Sequence, residues 1–150
     1  MNTWIPAIWI VGFGLLIVVS TVRARIRVSA IQKMAMRSGF RYVGDALPAV
    51  NLQQTPFCLA TSVWNVIEGE RSGIKVVAFD CRVGHGKGSW SRTAIAARTQ
   101  TDVFNAVAFD RNLTVDHSGD WVVLYQPKQL VYGGLMRVEE LEAHLNAIKP

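Results

Sequence analysis

From Trp4 to Val22 the chain carries only apolar and small uncharged residues, and the run ends abruptly in Arg23-Ala24-Arg25-Ile26-Arg27. Wound as a helix at about 1.5 Å per residue, such a run spans the ~30 Å hydrocarbon core of a bilayer. Trp4 and Trp9 suit the membrane interface, where an indole ring is half-immersed and its N–H stays wet. Pro6 falls in the first turn, where a missing N–H breaks no helical bond. A cleaved signal peptide would carry its basic residues before the apolar core and a small-residue cleavage site after it. Here the order is reversed, and the exit sequence Val19-Ser20-Thr21-Val22-Arg23-Ala24 fits such a site poorly. Buried helices of soluble domains are rarely so long and so uniformly apolar. Residues 1–22 are therefore expected to be a transmembrane anchor.

Beyond the anchor the periodicity changes. Val28, Ile31 and Ala35 share one helical face with Met34 at its edge, Lys33 and Arg37 lie opposite, and Gly39 is placed to end the helix. This gives a basic juxtamembrane helix over residues 23–41, with three dispositions open. It can continue the anchor, lie along the lipid surface, or pack on the following domain as a plain connector. Residues 44–60, with Pro48 and Pro56, read as an irregular loop. Ser62 to Ile67 and Ile74 to Cys81 read as strands joined by a loop from Glu68 to Gly73. The second of these is apolar at both parities, as a strand covered on both faces requires. Trp90 to Arg98, Val103 to Phe109 and Trp121 to Gln126 are further strand candidates. Val138, Leu141, Leu145 and Ile148 recur at helical spacing, with Glu139 and Glu140 in the first turn and Lys149 beyond the last, as the helix dipole prefers. Strands in succession bracketed by helices predict an α+β domain over residues 42–150 with a mostly antiparallel sheet.

Charge sets the expected orientation. Residues 1–45 hold six basic side chains and one acid, while the remainder holds ten of each, so the whole net charge of +5 sits beside the apolar run. Basic residues flanking a membrane segment stay in the cytoplasm, which predicts an outside N-terminus and a cytoplasmic domain at the cell's inner membrane. A sequence pI near 9.6 would by itself suggest nucleic acid. Concentrated here, the charge points instead to anionic lipid, with Arg23, Arg25, Arg27, Lys33 and Arg37 as the candidate membrane-surface residues, each contributing about 1 kcal/mol when well placed. No nucleic-acid partner is expected. Gly12 and Gly14 have the wrong spacing for a close helix–helix groove. The absence of charged residues within the run argues against a channel or transporter.

A further pattern runs from Asn65 to Ile148. Asn65-Val66-Ile67-Glu68-Gly69 is followed by Gly73, by Val76-Val77-Ala78-Phe79-Asp80, and by a polar loop and a strand bearing Thr93. Trp121-Val122-Val123-Leu124-Tyr125 and the Glu-Glu-Leu helix near residue 140 complete it. This order resembles a broad group of uncharacterised bacterial proteins with one or two membrane segments and a cytoplasmic β-rich domain of unknown function. In such proteins the strand ending here in Phe79-Asp80-Cys81 commonly ends in tyrosine. The resemblance implies the architecture and carries no reaction.

The candidate chemistry is sparse. Gly84-His85-Gly86-Lys87-Gly88-Ser89 suggests a phosphate loop, but Gly88 follows the lysine where Ser or Thr is needed, and Cys81 occupies the first glycine position. The string reads as a flexible hairpin tip, with anion contact through Lys87 as the alternative. Asp80, His85 and Ser89 lack the surroundings of an acid–base–nucleophile set, and Asp80 is expected to accept backbone hydrogen bonds or pair with Arg82. Asp116-His117-Ser118-Gly119-Asp120 is too short for a calcium loop and too poor in Cys and His for zinc, and reads as a polar turn. His144 and Glu140 read as a solvated pair. Trp64, Trp90 and Trp121 could form an aromatic contact patch, but core roles are expected for at least two. Cys58 and Cys81 form no C-x-x-C pair. They are reduced core thiols if cytoplasmic and a candidate disulfide if the domain faces the envelope. No cofactor, metal or catalytic residue is expected. The chain reads as a single-pass membrane protein presenting a binding or structural domain, an accessory subunit with membrane lipid and another membrane protein as candidate partners. A membrane-tethered enzyme with His85 or His117 among carboxylates, or a sensor of anionic lipid, is the alternative.

Overall fold

The computed structural model describes residues 4–99, 104, 113–127 and 134–148. Helix α1 (Trp4–Ser38) is a single 35-residue element, about 50 Å long. It is long and apolar enough to cross a membrane, and its apolar part is unburied by the protein, with Ile8, Trp9, Ile10 and Phe13 each about 70% exposed. No break separates residues 22 and 23, so the anchor and the basic segment are one helix. From Arg27 onward that helix packs on the domain through Ile31, Met34 and Ala35, all buried. The expected apolar stripe thus covers the sheet. Gly39 (φ +76°) ends the helix, and the Phe40 N–H donates to the Ala35 carbonyl at 2.8 Å, the bond of a left-handed glycine cap.

The domain is a six-stranded antiparallel sheet closed by a second helix, the α+β architecture expected. Strands β1 (Arg41–Gly44), β2 (Ala60–Arg71), β3 (Ile74–Val83), β4 (Trp90–Arg98), β5 (Thr114–Ser118) and β6 (Trp121–Tyr125) lie in the order β1-β2-β3-β4-β6-β5. β2 is longer than the pattern predicts. Its turn into β3 is the two residues Ser72 (φ 52°) and Gly73 (φ +78°), a left-handed pair that matches the twist of a hairpin. β1 and β5 are edge strands that the pattern does not predict. Of Asp116–Asp120, expected as a polar turn, residues 116–118 are paired along β6 within β5, and Gly119 and Asp120 turn. An edge strand wets one side, so alternating polar residues such as Asp116 cost it little. The strand expected over 103–109 lies outside the described residues, apart from the buried Phe104.

The sheet is covered on both faces. α1 and α2 (Val138–Ala147) cover one, over Ile67, Val76, Ala78, Ile95, Ala97 and Leu124. The segment from β1 to β2 crosses the other, over Val66, Val77, Phe79, Ala94, Ala96 and Val123. Its plug is Phe57, in a short helix (Pro56–Leu59) capped by Thr55, packed edge-on to Phe79 at 6.2 Å and Tyr125 at 4.9 Å. His144 is buried on the inner side of α2 with Nε2 3.7 Å from the part-exposed Glu140, so of the solvated pair expected there the imidazole is in the core. The end of α1 is seated by Phe40 over Gly69, where an added Cβ would stand 2.8 Å from the Phe40 ring and 3.3 Å from its Cα. Gly69→Ala is therefore expected to cost about 1–3 kcal/mol of stability by overpacking, read as a lowered midpoint in thermal denaturation.

Candidate functional site

The chemistry of this chain concentrates where α1 meets the sheet. β2 carries one residue more than β3 between the pairs Trp64↔Asp80 and Ile67↔Ala78, a bulge whose Asn65 takes a left-handed φ of 53°. Asparagine tolerates that conformation better than most residues. The bulge aims the Asn65 amide at Asp80, to whose Oδ2 it donates at 2.9 Å. β4 sets Thr93 directly across from Asp80, and the Thr93 hydroxyl donates to Oδ1 at 2.6 Å. From above, Arg27 donates Nε to Oδ2 at 2.7 Å and Nη2 to Oδ1 at 2.8 Å. The Asp80 carboxylate, 1% exposed, thus receives four donors from three elements.

The surrounding groups complete the lattice. Arg27 also donates Nη1 to the Met136 carbonyl at 2.7 Å and Nη2 to the Thr93 hydroxyl at 3.1 Å, and the Met136 N–H donates to the same hydroxyl at 3.0 Å. The segment leading into α2 is held by both of its backbone groups at Met136. Tyr42 of β1 donates its hydroxyl to Asn65 Oδ1 at 3.2 Å, which orients the amide toward Asp80. Burial, then the charges of Asp45 and Asp80, raise the Tyr42 pKa, so the phenol stays a donor. Around one carboxylate, α1, β1, β2, β3, β4 and the entrance to α2 are linked. The pairing of Asp80 with Arg82 expected above is corrected: Arg82 is exposed toward the end of β3, and Arg27 of α1 takes both oxygens of the Asp80 carboxylate.

The expected membrane-surface residues divide into two groups. Arg27 is turned into this network and Arg37 reaches Glu142 of α2 at 3.0 Å. Arg23, Arg25 and Lys33 are exposed. His85 and Ser89 are not brought to Asp80: His85 is exposed in the β3–β4 tip, and the Ser89 hydroxyl donates to the Gly86 carbonyl at 2.9 Å. His117 is exposed on edge strand β5, with β6 and β4 between it and β3, so the two imidazoles do not converge. Among the described residues no group of three or more His, Cys, Asp and Glu could hold a metal. Trp121 is buried, while Trp64 and Trp90 are half-buried.

A second buried cation was not singled out in the sequence. Arg92, 1% exposed, donates to the carbonyls of Ser91, Gln126 and Pro127 at 2.8–3.2 Å, and its guanidinium carbon lies 5.0 Å from the centre of the Trp90 ring. It satisfies carbonyls where β6 leaves the ladder, and burial lowers its pKa. The Cys81 thiol is buried on the face opposite α1 and pushed up to about 12, by burial first and the Asp80 charge second, whereas Cys58 is exposed. The two thiols are free. An apolar groove of about 330 Å³ opens beside Cys58, lined by Leu47, Pro48, Leu52, Phe57 and Val63. The chain matches no protein-family model, no curated protein and no solved structure. The functional reading therefore rests on this geometry.

Removing one partner of a buried pair leaves the other charge uncompensated. Asp80→Ala is expected to cost about 3–5 kcal/mol in a denaturant titration of the full chain in detergent, and Arg27→Met/Asp80→Leu to recover most of that loss. Thiol reactivity follows burial and the raised Cys81 pKa. At pH 8 a maleimide should modify the folded protein once, at Cys58, and the denatured protein twice, as counted by intact mass.

Proposed function

We propose that this chain is a single-pass protein of the inner membrane, its N-terminus outside, whose α+β domain is a non-catalytic binding or structural module held in fixed orientation on the cytoplasmic face. It acts there as an accessory subunit of a membrane complex. One observation carries this reading: the helix that is long and apolar enough to span the membrane continues unbroken into the domain and is keyed to it by the Arg27–Asp80 network. A module on a loose tether samples many orientations, whereas a helix continuous with the core transmits its own orientation to the sheet. The same continuity supports a retained anchor, because the peptide bonds after Val22 lie inside the helix.

The dipolar distribution of charge supports the orientation, with all basic residues of the first 45 following the apolar run. Arg23 and Arg25 are exposed within the first turn beyond Val22 and keep their proposed role as contacts to lipid phosphates. Lys33 stands about 16 Å along the helix from Val22 and is set apart from that layer.

A reporter fused after Pro150 and active only in the cytoplasm is expected to be active, and intact mass is expected to retain residues 1–22. An expressed but silent fusion would reverse the orientation. Loss of residues 1–22 from the mature chain would replace the anchor by a leader.

A further inference from the structure

The route of α1 across the sheet has a consequence for the opposite end of β3. At its Arg27 end α1 sits over Asp80, and at its Phe40 end it sits over Gly69, the partner of Val76. The direction from Phe40 back to Arg27, which is the direction of the membrane, is therefore the direction from Val76 to Val83 along β3. From Arg27 back to Val22 the helix climbs about 7.5 Å, and from Asp80 to Val83 the strand advances about 10 Å. The β3–β4 tip thus lies on the same side of Asp80 as the apolar run of α1.

That end of the domain has the composition of a membrane-contacting surface. Arg82, His85 and Lys87 are exposed there, and neither Arg82 nor Lys87 has a carboxylate partner among the described residues. Leu59 is 69% exposed and lies beside the tip, its carbonyl accepting from the Gly84 N–H at 3.5 Å. Among the described residues, the carboxylates of Asp45 and Glu140 stand further back. Asp45 follows Gly44, which pairs with Val66, and Glu140 meets Gln126, one residue past the Tyr125↔Ala94 pair. Both are thus near the level of Asp80, behind the tip. Gly84 (φ +81°) and Gly86 (φ +60°) let the tip turn tightly without bulk.

We infer that the β3–β4 tip, with Arg82 and Lys87 flanking Leu59, is a second membrane contact that rests on the anionic headgroups of the bilayer that α1 spans. The inference builds on the reading of α1 as a retained anchor. With two contacts on one rigid body, the tilt of the domain is determined as well as its height. The cationic side chains meet phosphate oxygens, and Leu59 enters the apolar edge of the headgroup layer, the pairing by which interfacial segments bind.

Cys58, exposed and adjacent to Leu59, is a native reporter of this contact. The full chain labelled there with a fluorophore, in nanodiscs of anionic lipid doped with a headgroup-nitroxide lipid, is expected to be strongly quenched. A label at the far end of β2, in Cys58→Ser/Glu70→Cys, is expected to stay bright. A third label, in Cys58→Ser/Leu15→Cys, read with an acyl-chain nitroxide, reports the anchor itself. Quenching at 15 without quenching at 58 overturns the tip contact and leaves the anchor reading standing. Absence of quenching at 15 overturns the anchor reading and the inference with it. Arg82→Gln/Lys87→Gln is expected to reduce quenching at 58 in anionic bilayers, its docked-to-undocked ratio falling about fivefold per charge removed. Quenching at 58 unchanged by that double substitution would overturn the headgroup contact.

Discussion

A carboxylate cannot be left charged and unpartnered in a protein interior, because the loss of hydration is far too large. Asp80 is buried, and the rest of the architecture is arranged around supplying it with donors. The bulge in β2, the left-handed Asn65, the Thr93 position across the ladder and the entry of α1 at Arg27 all deliver a donor to it. A buried pair of this kind contributes little net stability over an apolar replacement, but it discriminates strongly between arrangements. A helix shifted by one residue would bring Ile26 or Val28 to the carboxylate and leave the charge stranded. The network thus sets the register of α1 against the sheet.

That register determines how the apolar half of α1 and the domain relate. The apolar stripe of Ile31, Met34 and Ala35 supplies the burial that holds the helix down, but an apolar stripe alone permits sliding, since its contacts are not directional. Arg27 supplies direction at the end nearer the apolar run, and the close seat of Phe40 over Gly69 supplies it at the distal end. Between these two points the helix cannot rotate without breaking hydrogen bonds or forcing a steric overlap. In the proposed reading, the bilayer thereby holds one end of the sheet near its surface, with the β3–β4 tip and Leu59 forward.

The two faces of the sheet divide the work. The face under α1 and α2 carries the polar lattice within an aliphatic core. The opposite face is closed by Phe57 and the segment around it, with Arg92 satisfying carbonyls where β6 ends. Among the described residues His85 and His117 lie apart, and the buried Asp80 and Arg92 join elements.

Much of the architecture was legible in the sequence, and physical chemistry says which parts. The anchor, the α1 stripe, the two-faced β3 and the closing helix are encoded in periodicity, because burial on one face or on both leaves its mark on neighbouring positions. Edge strands β1 and β5 were not legible, since a short half-wetted strand bears polar residues like those of a turn. The junction was hidden for a different reason. Arg27 sits among four other basic residues that look alike in sequence, and Asp80 has Arg82 two positions away as a nearer apparent partner. Arg27 and Asp80 meet across 53 residues of chain, and only the crossing of α1 over β3 selects them. By itself, the sequence determined that a long apolar helix precedes an antiparallel α+β domain, because hydrophobic patterning is local. Tertiary structure alone decided which arginine pairs with Asp80 and which end of the sheet lies toward the apolar half of α1, because charge pairing depends on distance in space.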